Sequence, residues 1–142
     1  MQDVSQDQMD HEVISGQVET VKAGVIDFAL DYRHFGGDEG VTIRVMANLK
    51  GKETELLRFD CFDDAPHYHY GPDGPDERLM LDYTAEGDPI PWAINRLRTK
   101  MVPMLVRAGH PDTARKLDHS LIRDRLDQVE AWAQTLSRTK GS

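Results

Sequence analysis

Two histidines one residue apart, His67 and His69 with Tyr68 between them, are the residues of this sequence best placed to do chemistry. On an extended strand, residues i and i+2 point the same way, so the two imidazoles stand side by side about 7 Å apart. Such a pair can chelate a divalent metal when a third ligand approaches from a neighbouring strand or loop. Asp60, Asp63, Asp64 and His34 are nearby candidates, and the expected metal set is His67, His69 and Asp63. In the opposite arrangement Tyr68 and Tyr70 turn inward and the histidines merely face solvent. Asp60, Asp63 and Asp64 could also serve as acid–base carboxylates, although acidic residues at a strand end commonly form turns or pair with cations such as Arg58.

A second set is cationic. Arg96, Lys100 and Arg107 recur at steps of four and seven, near one face of an expected helix. They could grip a phosphate, a carboxylate or an acidic partner, or simply form a solvated face opposite the core. Trp132, like Trp92, has the size of a core or interface anchor. Cys61 alternates inward with Phe59 and so reads as a small buried hydrophobe rather than a reactive thiol. No nucleophile elbow, phosphate loop, cysteine–histidine metal pattern or dinucleotide fingerprint occurs.

The elements that must position these residues are legible in the apolar periodicity. Residues 1–12 are polar and aperiodic, and are expected to form a disordered tail. Residues 13–142 are expected to form a single α+β domain, with an antiparallel β-meander of four to five strands (13–85) followed by two helices (88–109 and 112–138). Ile26, Phe28, Leu30 and Tyr32 share one strand face opposite Asp27 and Asp31; Val41, Ile43 and Val45, then Leu57, Phe59 and Cys61, repeat the pattern. A weak edge strand is expected within residues 11–21, and a last strand within 78–84. Short turns at Gly36–Gly40 and Lys50–Lys52 make successive strands antiparallel neighbours, and a further turn is expected over residues 71–76.

Asp88 suits the N-cap and Pro89 the first position of the first helix. Pro103 should kink it near Thr99, and Gly109 should end it. Asp112 is expected to cap the second helix. Its stripe from Leu117 to Leu136 predicts about 25 residues and about 38 Å, longer than a small sheet needs for cover. Part of it is therefore expected to meet a partner or a second subunit.

A chain of 142 residues has the size of one domain. Its charge of −8 is unevenly spread: residues 1–87 hold 19 Asp/Glu against 7 Lys/Arg, and residues 88–142 hold 6 against 10. The halves can attract one another, or the helices can offer a basic face to an acidic partner. The acidic balance argues against nucleic acid as a partner. No apolar run approaches the roughly 20 residues of a membrane span, and the lone cysteine fits a reducing compartment, so a cytoplasmic location is expected.

The run from Arg58 through Asp60, Asp63-Asp64-Ala65-Pro66 and His67-Tyr68-His69-Tyr70, then Arg78-Leu79-Met80-Leu81-Asp82 and Gly87-Asp88-Pro89-Ile90-Pro91-Trp92, resembles small bacterial proteins of unassigned function. Size and layout are similar to small non-catalytic subunits of acetone- or acetophenone-carboxylase and hydantoinase-type assemblies, a likeness that carries over no functional residue. Asp64-Ala65-Pro66-His67 also bears a partial likeness to toxin-type ribonucleases, against which the acidic surroundings argue.

Three functions are thus expected, in this order. The first is an accessory or interaction module without catalytic activity of its own, docking through its C-terminal helices and engaging a partner through Arg96, Lys100, Arg107 and Trp132. The second is a metal- or ligand-binding enzyme centred on His67 and His69. The third is a small nucleic-acid-processing protein.

Overall fold

Alternation of apolar and polar residues builds one antiparallel sheet. The computed structural model describes residues 18–71 and 77–140. Its sheet has six strands in sequential order: β1 (Glu19–Ala23), β2 (Ile26–Phe35), β3 (Asp38–Leu49), β4 (Lys52–Phe62), β5 (His67–His69) and β6 (Leu79–Met80). This is an α+β meander, with more strands than the four to five expected, because both short edge strands pair. The expected tail over 1–12, the start of the sheet at 13 and most of the 71–76 turn lie outside the described residues.

Tight turns set the register. Between β3 and β4, Lys50 (φ 54°) and Gly51 (φ 82°) both take positive φ, the conformation of a two-residue hairpin turn. Asn48 Oδ1 accepts the Gly51 N–H at 2.9 Å and closes the turn.

One irregularity interrupts the β3–β4 ladder. Val45 pairs with Leu57 but Met46 pairs with Glu55, so Leu56 is an extra residue in a β-bulge. The bulge resets the alternation: Leu56 and Leu57 are both buried, and Glu55 reaches Arg44 (3.1 Å) and Arg58 (3.6 Å).

Gly40 is the tightest backbone approach. A Cβ there would lie 2.2 Å from the Cys61 carbonyl oxygen and 2.8 Å from Phe62 Cα. Backbone cannot yield as a flexible side chain can, so Gly40→Ala is expected to lower the unfolding free energy by about 2–3 kcal/mol, measurable by urea denaturation.

Five helices follow: α1 (Tyr83–Glu86), α2 (Pro89–Thr99), α3 (Met101–Arg107), α4 (Pro111–Arg115) and α5 (His119–Lys140). Asp88 caps α2 through its side chain (3.0 Å to Ile90 N). The expected final strand stops at Met80, because Asp82 caps α1 by accepting the Thr84 N–H.

Pro103 lacks the N–H that would bond to Thr99, and the first helix is interrupted at Lys100. The second helix is likewise divided. Asp112 lies in the first turn of α4, whose N-cap is His110, and the long helix begins at His119. There Asp118 Oδ1 takes the Leu121 N–H (3.1 Å), a side-chain bond that competes with helix continuation upstream.

α5 lies across β1, β2 and β3, while α2 covers β4 and packs on α5. Ile122, Leu126, Val129 and Ala133 of α5 and Ile90, Ile94 and Leu97 of α2 meet Phe28, Leu30, Ile43 and Phe59 in one core. Among the described residues, no helix is long and apolar enough to cross a membrane.

Candidate metal centre

The sheet face opposite the helices is charged. Register places Asp31, Thr42, Asp60 and His67 in one cross-strand row and Arg44, Arg58 and His69 in the next. The β4–β5 pairing brings Asp60 directly opposite His67 and Arg58 opposite His69. With Met46 and Glu55 paired beyond the bulge, Glu55 joins this face, giving Arg44 and Arg58 a carboxylate away from Asp60.

Asp60 is the hub. It is 2% exposed, and its two oxygens are divided between two tasks. Oδ1 accepts from Thr42 Oγ1 (2.8 Å) and Arg33 Nη1 (3.0 Å). Oδ2 faces Arg58 Nε (3.2 Å), His67 Nε2 (3.0 Å) and His69 Nε2 (3.5 Å). Burial by itself would raise its pKa, but the two imidazoles facing Oδ2 and the charges of Arg58 and Arg33 outweigh it. They hold the carboxyl well below the usual carboxylate range.

His67 is fixed from behind. Its Nδ1 lies 2.7 Å from the Ala65 carbonyl oxygen. A carbonyl cannot donate, so Nδ1 carries the proton, and Nε2 is the ring nitrogen turned toward Asp60. Arg78 Nη2 lies 3.5 Å from the same Nδ1; two donors cannot bond, so that approach does not compete. The Ala65 carbonyl is itself held. Asp38, at the start of β3, accepts the N–H groups of Asp64 (2.9 Å) and Ala65 (2.8 Å), while Asp63 N–H bonds to Glu39 O (2.8 Å).

His69 Nε2 is buried and has no hydrogen-bond partner among the described residues. The two rings meet edge-on with centroids 4.9 Å apart.

One ligand atom from each of Asp60, His67 and His69 lies within 4.8 Å of the other two. A metal at about 2.1 Å from its ligands separates them by about 3.0 Å in an octahedron and about 3.4 Å in a tetrahedron. The 3.0 and 3.5 Å separations from Oδ2 to the two Nε2 atoms are of that size.

These three side chains line a cavity of about 350 Å³, together with Arg33, Arg58, Arg78, Phe35, Gly36 and Phe62. Three guanidiniums border it, so the surroundings of the histidines are cationic although that half of the sequence is acidic. An anion is the ligand such walls favour.

Of the residues expected to bind metal, His67 and His69 come together as their spacing requires. Asp63 does not join them: it is exposed just beyond the end of β4, and partial desolvation and the carboxylates of Glu39, Asp38 and Asp64 raise its pKa. Asp60 occupies the place expected for Asp63, because it is the residue in register with His67. His34 is exposed and lies 3.7 Å from Glu39. The sequence carried no signal for Arg33, Thr42 and Arg78 as neighbours of the histidines; Arg58 and Asp60 were recoverable from strand parity.

Cys61 is buried and donates to the Pro89 carbonyl (3.7 Å). Burial first, then the charges of Asp60 and Asp88, pushes its thiol pKa up, which agrees with an inert core residue. Arg96, Lys100 and Arg107 line a second cavity on the helix side, and Trp132 is not part of it.

An open antiparallel sheet, backed by helices on one face and charged on the other, where two histidines gather at Asp60, defines the class: a small α+β protein with a histidine–carboxylate cluster on its strands. Residues 20–133 match the family described as a domain of unknown function (DUF7700), and the chain belongs to that family. No curated protein and no solved structure matches it.

Proposed function

We propose that this protein binds a first-row divalent metal through Asp60 Oδ2, His67 Nε2 and His69 Nε2, and presents that metal to a small anion in the arginine-lined cavity. One observation carries the reading: both Nε2 atoms converge on one carboxylate oxygen, while His67 Nδ1–H is committed to Ala65. A cation placed between the two Nε2 atoms and Oδ2 would take all three as ligands.

Two histidines and one carboxylate suit manganese, iron, cobalt, nickel or zinc, and leave coordination positions open, as in catalytic rather than structural centres. The hydrogen bonds to Oδ1 from Thr42 and Arg33 favour a monodentate Asp60. Purified protein titrated with Co(II) or Zn(II) in a calorimeter should take up one equivalent with micromolar or tighter affinity. Absence of stoichiometric binding for the whole manganese-to-zinc series sinks the reading.

A second reading, the interaction module expected first, keeps one observation in its favour. Val102 and Val106, one turn apart on α3, are 39% and 50% exposed, and Trp132 on α5 is 36% exposed. The likeness to accessory subunits of carboxylase or hydantoinase-type enzymes belongs to this reading. Light scattering tests its self-association arm: a mass above the 16.1 kDa of one chain, restored to it by Val106→Ser with Trp132→Ser, supports docking through the helices. A monomer at high concentration removes that arm.

A further inference from the structure

β5 shows a different chemistry on its other face. Tyr68, and Tyr70 just beyond it, stand with Trp92 of α2 in the wall of a second cavity, about 370 Å³, completed by Arg96, Lys100, Pro103, Met104 and Arg107. The helical contributors at 92, 96, 100, 103, 104 and 107 follow steps of three and four, so α2, the break at Lys100 and α3 present one continuous side to it.

The aromatic walls are in mutual contact. Tyr68 lies 5.5 Å from Trp92 and 5.7 Å from Tyr70, centroid to centroid. Two guanidiniums are stacked on this wall: Arg96 over Trp92 at 5.1 Å and Arg107 over Tyr70 at 4.4 Å. Stacking holds each guanidinium plane while leaving its edge N–H groups for an acceptor. Glu77, 2.6 Å from Arg107, is the carboxylate paired within this group. Three cations against one carboxylate leave the pocket positive in a chain whose overall charge is −8.

We propose that this cavity binds a small anion carrying a planar ring, an aryl carboxylate or a nucleoside monophosphate, and that it is a site separate from the histidine cluster. The ring would lie against the Tyr68–Trp92–Tyr70 wall, where stacking and apolar burial act without directional demands. The carboxylate or phosphate would take charge-assisted bonds from Arg96, Lys100 and Arg107. A volume of about 370 Å³ is at the lower end of small-ligand sites, roughly 300–1,000 Å³, which suits one ring system and one anionic group but not an oligonucleotide. Lys100 and Arg107 are exposed at the rim while Trp92 and the tyrosines are half-buried, so the ring enters first and the anion stays near solvent.

The test uses full-length protein carrying Trp132→Phe, so that Trp92 is the remaining tryptophan, with chelator present to keep the histidine cluster free of metal. Adenosine 5′-monophosphate and 4-hydroxybenzoate are titrated while Trp92 fluorescence is followed, with adenosine and inorganic phosphate as ligands that lack one half of the chemistry. Saturable binding of at least one ring-bearing anion is expected, with adenosine and phosphate at least about tenfold weaker. Lys100→Gln with Arg107→Gln, both at exposed positions, should weaken it about tenfold or more while circular dichroism stays unchanged. If neither ring-bearing anion perturbs Trp92 at millimolar concentration, or if the double variant binds as well as the parent, the proposal is overturned. Because chelator is present throughout, failure here leaves the metal reading untouched, and failure of metal binding leaves this one untouched.

Discussion

Asp60→Asn is expected to lower the unfolding free energy by about 3–5 kcal/mol at neutral pH, the usual cost of removing one partner from a buried ion pair. Two effects oppose each other at this position. Taking the Asp60 carboxylate out of water is costly, so neutralising it recovers some desolvation energy. Against that stand Arg33 at 3.0 Å, Arg58 at 3.2 Å and the two histidines. The folded protein holds the Asp60 carboxyl below its ordinary pKa, which means that the attractions win. Arg33, with 8% of its side chain exposed, would lose the carboxylate beside it without gaining access to water.

The pH dependence has a defined sign. The pKa is lower in the folded protein than in the unfolded chain, so the contribution is complete above the unfolded value of about 4 and drains away as pH falls toward the folded value. Urea midpoints of the parent should therefore drop between pH 5 and pH 2 more steeply than those of Asp60→Asn. Parallel curves, or a neutral-pH loss under about 1 kcal/mol, would show that Asp60 is not the electrostatic hub.

Much of this architecture could be read from residue order, for a physical reason. Strand parity is local: Ile26, Phe28 and Leu30, or Leu57, Phe59 and Cys61, declare their shared face without reference to any other strand. The same holds for Asp88 before Pro89, and for the shared face of Arg96, Lys100 and Arg107. What failed was whatever depends on competition between local and longer-range bonds. The Leu56 bulge resets the alternation only because β3 pairs Met46 with Glu55. The long helix starts at His119 rather than near Asp112 because a bond from the Asp118 side chain defines its first turn, a choice that the apolar stripe does not record.

The cluster divides in the same way. That His67 and His69 share a face follows from their spacing alone. Whether Asp60 or Asp63 joins them depends on the register across the β4–β5 turn, and that register is fixed by Asp38, more than twenty residues upstream, capturing Asp64 and Ala65. Arg33, Thr42, Arg58 and Arg78 then arrive from β2, β3, β4 and the approach to β6. Charge summed along the chain marks this half as acidic; charge gathered in space makes the cavity cationic.

The sharpest consequence concerns His67 and His69 themselves. Each single change to alanine is expected to weaken Zn(II) or Co(II) binding by more than about 100-fold, because partners one shell further out already cost about 10–100-fold. Thr42→Val belongs to that outer shell: it removes one of the two bonds steadying Oδ1, so a loss of about tenfold is expected. Asp63→Ala should change nothing, since Asp63 is exposed and outside the ligand set. Asp63→Ala and Asp60→Asn together separate the geometry from proximity in sequence. A melting experiment gives an independent readout, because a ligand that binds only the folded state stabilises it by mass action. Metal at 100 times its Kd adds about 2.7 kcal/mol, or about 8–10 °C in Tm for a domain of this size. The parent and Asp63→Ala should show that rise, and the His67→Ala, His69→Ala double variant should not. If the double variant gains the same number of degrees as the parent, the metal sits elsewhere and the converging Nε2 atoms serve only Asp60.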